Sequence, residues 1–276
     1  MSLPAVSEPS SEASAEAELS PWEARLQGFP GHRMGKYTNV VPRDAPSTWP
    51  RFEGCLVMLF IARSGSSFLS TELEQHYDIG RMGEHMNKAH LIGDGRMQRK
   101  AHRIAGSWFS FKAGIQGIIT AEASGFTLVN LERMHFLRLI RRDIVGQAIS
   151  RVKALQTQQW HTHVERIAEP AYNLAELEMG VEKIAAGVKL LGQYAERTGR
   201  PSRQVVYEDL LEGSLAAAFS ACDSLGVPKR IEDIDRVRSV ERMPRDGADE
   251  WRQRFLDEAG PKTLECIDRY QQSLEN

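Results

Sequence analysis

The run Leu56-Val57-Met58-Leu59-Phe60-Ile61-Ala62 has the length and unbroken apolar character of a buried strand. It passes directly into Arg63-Ser64-Gly65-Ser66-Ser67, and Phe68, Leu69, Glu72, Leu73 and Tyr77 then follow at helical spacing. A strand, a tight turn and a helix N-terminus make an anion site, because the first N–H groups of the helix lack partners and the helix dipole favours negative charge. Gly65 lets the backbone come close to an anion. Ser66 and Ser67 add hydroxyl donors, and Arg63 adds a fixed positive charge. The turn reads as a cradle for a phosphate or a sulfated phosphate. An ordinary Gly-Ser turn before a capped helix has the same local sequence, so the rest of the chain decides. The loop of ATP and GTP enzymes needs a Lys after its last glycine. Ser66 stands there, which counts against a kinase of the P-loop class.

A chain of 276 residues can bury roughly three quarters of its unfolded surface, enough for one α/β domain or two small ones. A formal net charge of -2 gives no global attraction to nucleic acid or to an anionic membrane, so any anion site is a local cluster. The three cysteines, Cys55, Cys222 and Cys266, form neither metal-ligand spacing nor a disulfide framework, which points to a reducing compartment. No apolar run reaches the length of a membrane span, and the N-terminus lacks a signal-peptide pattern, so a soluble cytoplasmic protein is expected. His161-Thr162-His163 has no Cys or acidic ligand at zinc spacing, and no metal is expected.

Residues 1–20 are rich in Ser, Ala, Glu and Pro and lack aromatic residues, and read as a disordered tail. Residues 21–51, with Trp22, Phe29-Pro30-Gly31 and Trp49-Pro50, read as an irregular, partly packed lead-in to a domain over 52–276. His76 to Ile104, with Gly80, Gly83, Gly93 and Gly95, is too rich in turn signals for a single helix. Further strands are predicted over Trp108–Lys112, Met134–Ile140 and Gln204–Tyr207, and Phe126–Leu131 leads into the second of these. Helices are predicted from Ile144 through Val152, over Leu174–Thr198 with a stop at Gly199-Arg200-Pro201, and over Leu215–Leu225. The amphipathic 174–198 helix is core or a homodimer face. Strands alternating with helices predict an α/β fold: a mostly parallel central sheet flanked by helices. Ligands of such sheets sit at the carboxyl ends of the strands. Arg63 and Arg141 both fall there, which suits a ligand with two separated anionic groups.

Several separated blocks, spanning Leu56 to the C-terminus, resemble one family. Arg63-Ser64-Gly65-Ser66-Ser67 resembles the 5′-phosphosulfate loop of sulfotransferases that use 3′-phosphoadenosine 5′-phosphosulfate (PAPS). Arg141-Arg142-Asp143 with Gln147-Ala148-Ile149-Ser150 resembles their 3′-phosphate segment. Ala154 to Trp160 then follows the A-x-QT-x-x-W pattern of the bacterial branch that includes trehalose, nodulation and lipopolysaccharide sulfotransferases. Tyr207-Glu208-Asp209-Leu210 and Asp249-Glu250-Trp251 match two further blocks. Glu84 lies at the same distance from the loop as the catalytic glutamate of the trehalose enzyme. Arg81 replaces one of two acidic residues there, so the resemblance does not extend to trehalose as acceptor.

The resemblance implies a P-loop-like sulfotransferase fold and in-line transfer of a sulfuryl group from PAPS to a hydroxyl of a carbohydrate or glycolipid. By analogy with phosphoryl transfer, the protein positions both partners and stabilises charge on the leaving phosphate. Arg63, Ser64, Gly65, Ser66, Ser67 and Phe68 are implied to hold the 5′-phosphosulfate. Arg141, with Arg142 as the alternative, and Ser150 are implied to hold the 3′-phosphate. Glu84 is the implied general base, with His85 as runner-up, and Lys112 contacts the bridging oxygen or the acceptor. Arg242 and Trp251 close over the 3′-phosphate and the adenine, while Trp160 is a packing anchor. A kinase of the P-loop superfamily, a non-catalytic nucleotide-binding module and a scaffold are the rival readings.

Overall fold

A computed structural model describes residues 21–28, 49–87, 96–161, 164–211, 215–230 and 247–275. The expected tail over 1–20, Arg242 and the Thr162-His163 pair lie outside the described residues. The chain runs α1 (Pro21–Leu26), β1 (Cys55–Phe60), α2 (Ser66–His76), a 3-10 turn at His85–Asn87, α3 (Arg96–Ile104), β2 (Phe109–Ala113), α4 (Ile115–Ala123) and α5 (Phe126–Asn130). A 3-10 turn at Leu131–Arg133 then leads into β3 (Met134–Ile140), α6 (Ile144–Thr157), α7 (Leu174–Thr198), β4 (Ser202–Val206) and α8 (Tyr207–Leu211). The last three helices are α9 (Ala216–Ser224), α10 (Ala248–Glu258) and α11 (Pro261–Glu275). The four strands form one sheet in the order β2-β1-β3-β4, and every pairing is parallel.

β1 sits inside the sheet, so both of its faces are buried, which explains a run with no polar alternation. Cys55, Val57 and Leu59 join a cluster with Leu26, Trp49, Phe109, Phe111, Phe126, Phe136 and Tyr194. Leu56, Met58 and Phe60 point the other way, toward Leu69 and Leu73 of α2 and Ala218 and Cys222 of α9. Helices therefore cover both sides, and each parallel crossover carries at least one helix. A third cluster joins α6 and α7 to α10 and α11 through Ile149, Val152, Val181, Ile184, Phe255 and Tyr270.

α7 has the bounds that the sequence predicts. Asn173 caps its start by accepting from the Glu176 N–H at 3.2 Å, and Gly199 ends it in the left-handed conformation at φ 63°. Its apolar face, Leu177, Val181, Ile184, Leu191 and Tyr194, is buried within the chain and is core. Three strands shift by one or two residues from their predicted bounds: β1 runs from Cys55 to Phe60 rather than from Leu56 to Ala62, β2 ends at Ala113, and β4 starts at Ser202 and gives Tyr207 to α8. α4, α10 and α11 are not among the predicted helices. α4 is buried nearly all round from Gly117 to Glu122, and α10 buries only Phe255. In the lead-in, Pro21–Leu26 is helical, and Leu26 and Trp49 belong to the core.

Candidate active site

The loop after β1 makes the cradle. Gly65 has φ 85°, and a Cβ there would run into the ring of Tyr207, so two independent constraints require glycine. α2 begins at Ser66 with no side-chain cap. Among the described residues no acceptor faces the N–H groups of Ser66, Ser67 and Phe68, while Leu69 N already donates to Gly65 O at 3.1 Å. Ser64 is 1% exposed and its Oγ has no hydrogen-bond partner, an orphaned polar atom beside an uncapped helix start. Gln147 of α6 holds the loop from below, donating from Nε2 to the carbonyls of Ile61 at 3.3 Å and Ala62 at 3.0 Å. Phe68 is partly buried against the α2 side of the core.

Arg63 also adopts a left-handed backbone, φ 70°, which is uncommon for a residue with a Cβ. Its Nε donates to Ser150 Oγ at 2.9 Å and its Nη1 to the Trp160 carbonyl at 2.8 Å. The two residues that the resemblance places on different anionic groups, Arg63 and Ser150, thus share one hydrogen bond. Among the described residues Arg63 has no carboxylate partner. Burial, and after it the charge of Arg141, push its pKa down. A half-buried guanidinium in that state is held at a cost that an anion would relieve.

Arg141 extends from the end of β3 over the same loop. Its Nη1 donates to Arg63 O at 3.3 Å, its Nη2 to Asp143 Oδ2 at 3.2 Å, and its guanidinium lies 5.3 Å from the centre of the Tyr207 ring. Its Nε is buried without a hydrogen bond, 3.8 Å from Glu208 Oε1. The Tyr207-Glu208-Asp209 block is explained by this turn. Tyr207 packs on Gly65 and under Arg141, and Glu208 accepts from the N–H groups of Arg142 at 2.9 Å and Asp143 at 3.1 Å. Asp209 accepts from Arg142 Nη2 at 2.7 Å, which draws that side chain to the exposed rim. Asp143 caps α6 by accepting from Gly146 N at 2.9 Å and is paired with Arg252 of α10. Burial alone would raise its pKa. The hydrogen bonds from Arg252 and Gly146 N, with the charges of Arg252 and Arg141, hold it below the ordinary value.

On the far rim, an isolated parallel bridge joins Gly83 to Phe111, and Lys112 N donates to Gly83 O at 2.9 Å. That pairing puts Glu84 beside Lys112, with 4.0 Å between Oε1 and Nζ. Lys112 Nζ in turn donates to Ser67 Oγ at 3.3 Å, so a polar chain runs from Glu84 through Lys112 into the cradle. The Lys112 side chain is 8% exposed and that of Glu84 46%, so the carboxylate faces solvent while the ammonium is buried. Burial lowers the Lys112 pKa, against the opposing pull of Glu84 and Glu74. His85 turns back on its own loop: Nε2 lies 3.2 Å from Gly83 N and 3.0 Å from Arg81 O, and the ring stacks on Phe109.

Trp251 does not lie open. Lys153 sits 4.6 Å over its ring and Tyr172 packs edge-on against it. Trp160 contributes its carbonyl to Arg63. The sequence reading missed the supports from the C-terminal helices. Tyr270 Oη donates to Arg141 O at 2.8 Å and Gln271 Nε2 to Arg142 O at 2.7 Å, both across 129 positions. Among the described residues, no group of three His, Cys, Asp or Glu side chains forms a metal site, and no helix is long and apolar enough to cross a membrane.

Residues 122–258 match the family model described as Stf0 sulphotransferase. No curated protein matches the chain. Among solved structures, the sulfotransferase domain from the Synechococcus PCC 7002 olefin synthase superposes with a TM-score of 0.45 at 12% identity, covering 82% of this chain and 97% of that one. The stretch that matches the family model carries Arg141, Ser150 and Tyr207, and these close on the Arg63 loop upstream of it: over residues 122–258 the chain is similar to the Stf0 sulfotransferases, which supports an enzyme of sulfuryl transfer.

Proposed function

We propose that the enzyme transfers the sulfuryl group of PAPS to a hydroxyl of a carbohydrate or glycolipid acceptor, in the cytoplasm and without a metal. The observation that carries this is the pair of guanidiniums, Arg63 and Arg141, over an uncapped helix N-terminus, Arg63 being half-buried with no carboxylate partner among the described residues. The N–H groups of Ser66, Ser67 and Phe68, with the Ser64 hydroxyl, take the 5′-phosphosulfate. Arg141 and Ser150 take the 3′-phosphate, and Arg63, bonded to Ser150, spans the two groups. Glu84 removes the acceptor proton as that oxygen attacks sulfur. Lys112 and Ser67 stand where negative charge develops on the departing phosphate oxygen.

Calorimetry with adenosine 3′,5′-bisphosphate tests the clamp. Arg141→Ala should weaken that ligand by roughly 2–5 kcal/mol, the range for truncating one partner of a buried charged pair. Adenosine 5′-monophosphate should lose much less. Equal losses for both nucleotides would remove Arg141 from the 3′-phosphate.

A further inference from the structure

The surface next to Glu84 is strongly basic. Arg81 precedes Glu84 by three residues, and its N–H donates to Ile104 O, the last residue of α3, at 3.0 Å. Gly80 packs so closely on Ile104 and Gly106 that a Cβ would meet their backbone, which fixes the Arg81–Glu84 segment to the end of this helix. α3 reads Arg-Met-Gln-Arg-Lys-Ala-His-Arg-Ile and holds no acidic residue. Lys100 is four positions before Ile104, about 6 Å along the axis, and Arg103 is its neighbour. Arg81, Lys100 and Arg103 are exposed, and among the described residues none of the three has an ion-pair partner. The adjacent acids are engaged by backbone: Glu74 accepts from Met82 N at 2.9 Å and Asp78 from Ser107 N at 3.0 Å. Elsewhere, exposed cations such as Lys229, Lys262 and Arg254 are paired with Asp223, Glu182 and Glu258. The basic field reaches His85, whose pKa is lowered first by burial and further by Lys100, Arg81 and Lys112.

We infer that the acceptor itself carries negative charge, as an anionic saccharide, and that Arg81, Lys100 and Arg103 hold this charge while Glu84 takes the proton from the hydroxyl. The inference rests on the sulfuryl-transfer reading with Glu84 as base. A chain of net charge -2 has no general pull on anions, so a patch of cations without ion-pair partners among the described residues, at one rim of the site, concentrates anionic acceptors there.

Matched acceptors test it: a neutral oligosaccharide, the same sugar as a uronic acid, and the same sugar phosphorylated, each with radiolabelled PAPS. Anionic acceptors should exceed the neutral one in kcat/KM by about ten-fold or more, and the advantage should shrink with added salt. The uronate and phosphate arms tell which anion is preferred. The double variant Arg81→Ser with Lys100→Ser should lose the advantage through KM, with bisphosphate affinity unchanged, and Arg81→Glu should shift preference toward the neutral acceptor. Equal turnover of neutral and anionic acceptors overturns the inference and leaves sulfuryl transfer standing. So does an advantage that survives both variants, or basic-patch binding to anionic phospholipid vesicles without any acceptor preference. Failure of every acceptor with the bisphosphate tightly bound overturns the sulfuryl-transfer reading and this inference with it.

Discussion

A hydroxyl is a poor nucleophile until its proton begins to leave, and Glu84 is the carboxylate at the mouth of the cradle. Its neighbour Lys112 is anchored on Ser67, so Glu84, the proposed base, and the Arg63–Ser67 loop are held in one chain of contacts rather than on independent loops. A positioned carboxylate contributes about a hundredfold to ten-thousandfold in rate. Glu84→Gln keeps the shape and removes the basicity, so turnover should fall by about that factor while bisphosphate affinity in calorimetry stays near wild type. His85→Ala provides the contrast. The ring contacts Gly83 N and Arg81 O and stacks on Phe109, so its loss should loosen the turn without removing a proton acceptor. Near-normal turnover in Glu84→Gln together with collapse in His85→Ala would transfer the role of base to the histidine. The glutamate was legible from the sequence only through its distance from the loop. Its approach to Lys112 depends on the Gly83–Phe111 bridge, which joins residues with no shared local pattern.

At the scale of elements, the site is one strand end, one helix start and a second strand end braced by helices from the far end of the chain. The first two are local in sequence and were readable there: an apolar run, a glycine turn and an amphipathic helix fix each other within about twenty residues. The brace is not local. Tyr207, Glu208, Tyr270 and Gln271 reach the loop and the Arg141–Arg142 turn only because β4 pairs with β3 and α11 folds back on α6 and α7. Tyr207 makes the coupling testable. Gly65→Ala must accept a left-handed backbone, at a cost of about 1–2 kcal/mol, and must also displace the Tyr207 ring. Urea unfolding should therefore show a loss greater than the backbone cost alone, and bisphosphate binding should fall with it. Adding Tyr207→Ala should recover the steric part of the stability and none of the left-handed cost. A Gly65→Ala enzyme with wild-type stability and binding would show that the loop has another conformation in solution.

At the scale of the whole molecule, the parallel α/β plan was legible because β1 and β3 are apolar runs of strand length and α7 carries a strong helical period. The N-terminal contribution was not, since α1 is six residues long and its anchor lies 97 positions away. Arg25 of α1 donates from Nε and Nη2 to both oxygens of Glu122, each at 2.9 Å. The same carboxylate accepts from Tyr194 Oη at 2.8 Å and Thr127 Oγ1 at 2.6 Å, and its side chain is fully buried. Four segments, α1, α4, α5 and α7, thus meet on one buried acid on the face of the sheet that α2 does not cover. Burial works against the charge on Arg25, and its pairing with Glu122 and Tyr194 more than offsets this, so its pKa is raised. Removing the arginine leaves a buried carboxylate with hydroxyl partners and no counter-charge. Arg25→Ala should therefore cost about 3–5 kcal/mol in urea unfolding, the range for breaking a buried pair from one side. The folded fraction should still bind the bisphosphate normally, because Arg63 and Arg141 are set by α6, α8 and α11 rather than by α1. A loss below about 1 kcal/mol, the level of an exposed ion pair, would show that α1 is not docked in solution.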